Sequence, residues 1–137
     1  MKLSEVLTGP DKWTQEYLAK DKDGHLVSTD SDDACKFCLM GAVYRVHGEK
    51  SAALELKPET SRDLILLGRS VVSVFPRRHN DADYTDNSRD DAVDVITSFN
   101  DADDTAFKDV QKVVKEFERY KAFMEANPDA EILRNVK

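Results

Sequence analysis

Phe107, Val110, Val113, Val114, Phe117, Tyr120 and Met124 recur three and four residues apart, and Asn127-Pro128 closes the run. That spacing predicts a long helix with one apolar side, which has to be covered by other elements of the same core. Two further stretches repeat the pattern. Leu64, Leu67, Val71 and Val74, with Gly68 allowing a close neighbour, predict a buried helix that Pro76 ends, and Thr60 with Asp63 has the form of a capping box at its start. Ser88 with Asp91 opens another through Val95, Ile96 and Phe99, which Asn100 to Asp104 breaks. A run of capping residues, Ser28 to Asp33, precedes Cys35, Cys38, Leu39, Ala42, Val43 and Val46, whose spacing predicts a helix up to Gly48.

The N-terminal part reads differently. Ser4 to Thr8 predicts one helical turn before Gly9-Pro10, and Ala52 to Leu56 is a weaker segment before Pro58. Trp13 to Ala19 alternates as a strand, Asp21-Lys22-Asp23-Gly24 supplies turn chemistry, and His25-Leu26-Val27 forms the return. The expected fold is therefore α+β and mostly helical: four to five helices around one core with a small N-terminal β-hairpin. At 137 residues one domain is expected over 1–137, burying about two thirds of its extended surface, with 129–137 as a tail.

Charge is distributed unevenly. Between His79 and Asp109 ten aspartates face only Arg89 and Lys108, so this segment carries -8 of a net -7 and the remainder sums to +1. Aspartate belongs to caps, turns and metal loops more than to solvated helix faces. Capping accounts for two or three residues of Asn100 to Thr105; it leaves Asp81, Asp83, Asp86, Asp90, Asp91 and Asp94 as a surplus, read as an exposed acidic patch beside Arg77-Arg78-His79. Such a surface suits a basic partner or a cation and argues against direct nucleic-acid binding, which needs a basic face.

Asn-Asp-Ala-Asp occurs at 80–83 and again at 100–103, a repeat that chance explains in a chain with 18 aspartates. Neither copy is an EF-hand. Counted from Asp81, position six is Asp86 and position twelve Ala92; counted from Asp101 they are Ala106 and Lys112, where glycine and glutamate are required. Cys35-Lys-Phe-Cys38 lacks two further zinc ligands, and the three histidines are scattered singly, so the cysteines read as buried packing thiols. No phosphate loop, nucleophile elbow or His-Glu-x-x-His helix is present. The N-terminus has no apolar signal region, and the most hydrophobic run, Leu64 to Phe75, is too short for a bilayer; a cytoplasmic protein without a membrane segment is expected.

Trp13-Thr14-Gln15 leading to Asp23-Gly24, Ala34 to Ala42 with Cys38 and Gly41-Ala42, and Phe99-Asn100-Asp101 before a helix together resemble a family of small bacterial and phage proteins known only as a domain of unknown function. The resemblance runs from Trp13 to about Tyr120 and implies a compact cytosolic domain without implying any activity. The Asp-rich region 81–94 lies outside it. On physical grounds Gly41-Ala42 would let another backbone approach, and Asn100-Asp101 would pair the orphan donors of the last long helix.

These readings favour a non-enzymatic acidic protein with no cofactor, whose Asp81, Asp83, Asp86, Asp101, Asp103 and Asp104 engage a basic surface of a partner protein in the place of nucleic acid. A small hydrolase holding Mg²⁺ or Mn²⁺ on Asp81, Asp83, Asp101 and Asp103 is the alternative. An assembly protein, recognised by self-association, is the third.

Overall fold

The computed structural model describes residues 1–76 and 88–128. In chain order these form α1 (Leu3–Val6), a 3₁₀ turn (Pro10–Lys12), β1 (Ala19–Lys20), β2 (Lys36–Phe37), α2 (Leu39–His47), α3 (Pro58–Val74), α4 (Arg89–Asp101) and α5 (Phe107–Ala126). The fold is α+β and mostly helical, as the apolar periodicities predict. No described helix is long and apolar enough to cross a membrane.

α3 is the central element. Asp63 through Gly68 are all buried, so it is covered on most of its circumference rather than along one stripe. α4 packs on one part of it and α5 on another, while α4 and α5 scarcely touch each other. Leu64, Ile65, Leu67 and Val71 of α3 meet Val95, Ile96 and Phe99 of α4 and Val110, Val113 and Phe117 of α5 in one core. Truncating one of these leucines or isoleucines to alanine should cost about 2–5 kcal/mol, the usual range for a close-packed interior.

The strands are short. β1 and β2 are antiparallel, with Ala19 opposite Phe37 and Lys20 opposite Lys36. The expected return at His25-Leu26-Val27 contributes a single bridge, Lys20 to Leu26, and the paired strand is Lys36–Phe37. That pairing shortens the second helix from its expected start. Cys35 N–H donates to Lys20 O and Cys38 N–H to Leu18 O, which holds 35–38 extended, so α2 begins at Leu39 with Cys38 as its N-cap. Gly48, at φ 69°, ends α2 in the left-handed region.

The start of α3 also departs from expectation. Thr60 and Asp63 do not form a capping box. Pro58 occupies the first turn, and the cap is supplied from outside by Glu49, whose Oε2 accepts from Lys57 N at 2.8 Å. Asp63 instead accepts from His47 Nε2 at 2.6 Å and Lys121 Nζ at 3.1 Å, tying α2 and α5 to α3 through one buried carboxylate. α4 begins as its sequence predicts, with Ser88 Oγ accepting from Asp91 N.

Candidate functional site

The C-terminal turn of α4 places Asn100 in the interior, 1% exposed. Its Oδ1 accepts from Trp13 Nε1 at 2.8 Å and from Leu39 N at 3.1 Å. Its Nδ2 donates to Thr14 O at 3.2 Å and to Asp101 Oδ1 at 2.9 Å. Both donors and both lone pairs of the amide are therefore used. Gln15 Nε2 donates to the carbonyls of Asn100 and Ala102, each at 3.0 Å, and so pairs two acceptors that the end of α4 would otherwise leave orphaned. Asp101 Oδ1 also accepts from Glu16 N at 2.7 Å, and Glu16 sits at φ 73°.

A second contact draws the same regions together. A Cβ on Gly41 would lie 1.9 Å from Leu18 O, so only glycine lets α2 approach the 13–18 segment this closely. Ala42 is fully buried one residue on. Cys38 Sγ accepts from Gly41 N at 3.2 Å. Burial pushes the Cys38 thiol up to about 11, with Asp101's charge adding to it against the Gly41 bond, so the thiol stays neutral and is a poor nucleophile. The extended backbone from 35 to 38 separates Cys35 from Cys38 by roughly 10 Å, beyond the reach of a disulfide. Trp13, Gln15, Cys38, Gly41, Ala42, Asn100 and Asp101 thus converge although the chain separates them widely.

One expectation is corrected here. Asn100 and Asp101 do not pair the orphan donors of the last long helix; Asp109 Oδ2 does so by accepting from Ala106 N at 3.0 Å. Asn100 instead caps α2 by way of Leu39 N, because α4 ends facing the start of α2. Next to the clamp, Glu16, Tyr17, Cys38, Met40, Thr97 and Asp101 line a cavity of about 60 Å³. That has room for water molecules, far below the several hundred Å³ usual for an organic ligand.

Asp101, Asp103 and Asp104 are exposed at the end of α4 and in the following loop. Asp81, Asp83 and Asp86 lie outside the described residues, as does the first Asn-Asp-Ala-Asp copy. Asp90 and Asp94 share one side of α4 with Asp101: at about 100° per residue the three fall within about 40° of one another. Ala92, Val95, Ile96 and Phe99 occupy the opposite, buried side. Asp21, Asp23 and His25 offer ligand atoms within 4.8 Å of one another on the exposed turn after β1. There Asp21 Oδ1 accepts from the backbone N–H groups of Asp23 and His25, and the His25 bond chiefly lowers the Asp21 pKa, which is turn chemistry.

No curated protein and no solved structure matches the chain. A family model described as a family of unknown function, DUF6197, matches residues 2–119, a span that takes in all three converging stretches, and the chain belongs to that family.

Proposed function

We propose that the chain is a non-enzymatic binding protein that covers a basic surface of a partner protein with an acidic face. The observation that carries this reading is the line of exposed carboxylates Asp90, Asp94 and Asp101 on the outer side of α4, continued by Asp103 and Asp104. From Ser88 to Asp109 seven aspartates face only Arg89 and Lys108. Arg89 lies within 3.5 Å of Asp90, the one salt bridge to Asp90, Asp94 or Asp101 among the described residues. The Asn100 clamp holds the carboxyl end of this face to the N-terminal segment, and a face ordered before binding loses less entropy on docking. Carboxylates in this arrangement steer a basic partner toward them and lose their reach as salt rises.

A Mg²⁺ or Mn²⁺ hydrolase built on Asp81, Asp83, Asp101 and Asp103 has less support. One oxygen of Asp101 is already shared by Asn100 Nδ2 and Glu16 N, leaving a single oxygen for a cation.

The test is capture from lysate of the source cell at low and moderate salt. The parent protein is compared with a variant carrying Asp90→Asn, Asp94→Asn and Asp103→Asn, which spares Asp101 and its structural bonds. One stoichiometric basic partner, weakened by salt and lost in the variant, is expected. Equal capture of that partner by both forms would show that the acidic face does not hold it.

A further inference from the structure

α5 carries a counterpart to the acidic face. Lys108, Lys112, Lys115 and Arg119 are all exposed and stand at positions i, i+4, i+7 and i+11 of that helix. Asp90, Asp94, Thr97 and Asp101 stand at the same four positions of α4. Each row spans about 16 Å and stays within about 60° of helix circumference. Each also lies opposite its helix's buried side, Val110, Val113, Val114 and Phe117 in α5. α3 packs against both helices while α4 and α5 scarcely meet, and among the described residues no salt bridge joins the two rows: Arg89 pairs with Asp90 and Arg119 with Glu116, each on its own helix.

From this complementarity we infer that the basic surface taken by the acidic face is α5 of a second copy of the same chain, an inference that rests on the acidic-face reading and names its partner. The contact is head-to-tail: α4 of one copy lies on α5 of the next, and each copy keeps one unused face of either sign. Such heterologous contacts propagate into rings or open chains of subunits. Apolar contact is available beside the charges. A groove of about 350 Å³ between α1 and α5 is bordered by Lys115 and floored by Leu7, Phe107, Val110 and Val114. At the end of the acidic row Tyr17, 45% exposed, neighbours the Glu16 that bonds Asp101. Arg119 is partly engaged by Glu116 on its own helix, so the three lysines carry most of the available charge.

The experiment is sedimentation velocity over a range of protein concentrations, with two charge-reversed variants. One carries Asp90→Lys and Asp94→Lys; the other carries Lys108→Glu, Lys112→Glu and Lys115→Glu. All five positions are exposed, and far-UV circular dichroism checks that each variant folds. The parent should self-associate, with an association constant at least about tenfold lower at about 1 M salt than at about 0.1 M, as the screening length shrinks from about 10 Å to about 3 Å. Each variant alone should be monomeric, and an equimolar mixture should associate again, because reversed α4 then meets reversed α5. A parent that stays monomeric, or a mixture that fails to associate, overturns the inference. The same variants in the lysate capture keep the two readings apart. If the lysine-reversed form still captures another basic protein while the aspartate-reversed form does not, the acidic face stands and docking between copies falls. If nothing is captured and nothing self-associates, both fall.

Discussion

Asn100 is held by four hydrogen bonds, two accepted by Oδ1 and two donated by Nδ2, and that division makes its replacement informative. Asn100→Ala removes the acceptor of Trp13 Nε1 and Leu39 N together, leaving two inward donors unpaired at a cost of about 2–4 kcal/mol. Asn100→Asp keeps that acceptor but sets an oxygen against Thr14 O and Asp101 Oδ1, where Nδ2 now donates. At neutral pH it should therefore be at least as harmful as alanine. Its deficit should shrink as the pH falls toward about 4, because an acid buried against two oxygens takes up its proton above the ordinary aspartate value, and that proton can take the place of the amide hydrogen. Denaturant unfolding of the parent and both variants, followed by the emission of Trp13, the single tryptophan, measures this at the clamp itself. An aspartate variant as stable as the parent at pH 7 would show that Nδ2 contributes nothing.

At the scale of elements, what the sequence reveals depends on whether the deciding interaction is local. The apolar side of α5, the Ser88 cap of α4 and the Pro76 stop of α3 are each legible from a few neighbouring residues. The late start of α2 is not, because the carbonyls of Leu18 and Lys20 keep 35–38 extended from 20 and 15 residues away. Asp63 fits a capping pattern by spacing, yet its carboxylate goes to His47 and Lys121, beyond any local rule. Each stretch that meets at Asn100 could be singled out in the sequence, but their meeting crosses 61 to 87 residues of chain. The basic row on α5 was open to the same periodicity argument as the apolar one; it becomes informative only beside α4. Glu49 provides the corresponding test for an element. Burial alone would raise its pKa, but the Lys57 backbone N–H, with the charge of Lys57 and His47, lowers it overall. A carboxylate with a depressed folded pKa adds stability above its unfolded value and loses it as pH falls through the folded one. Glu49→Gln should therefore be less stable than the parent at pH 7, with the gap closing as the pH falls below the ordinary glutamate value of about 4.3 and through the lowered folded one. Parallel acid and neutral unfolding curves decide it; a gap independent of pH would mean that the charge of Glu49 does not cap α3.

Over the whole molecule, the acidic charge of α4 is placed where its effects on folding largely offset one another. Asp90 and Asp91, in the first turn of α4, are favoured by the helix dipole, whereas Asp101 at the other end is disfavoured, each by about 0.3–1 kcal/mol. The like pair Asp90 and Asp94, four residues apart, costs a further 0.2–0.5 kcal/mol or about that. These terms nearly cancel, and salt screens all of them, so the melting temperature of dilute protein should change little with NaCl. MgCl₂ at matched ionic strength should then trace the same curve. A cation held by Asp101 and Asp103 would behave otherwise: at a hundredfold over its dissociation constant it would stabilise the fold by about 2.7 kcal/mol, a rise of many degrees that a chelator would reverse. Thermal unfolding in the two salts separates these cases. Superimposed curves would show no cation site on Asp101 and Asp103, and a rise from about 0.1 M to about 1 M salt should then weaken self-association at least about tenfold while the fold itself is unmoved. A Mg²⁺-specific rise would instead give the carboxylates a ligand within the chain, and the acidic face would have to be read as a metal site.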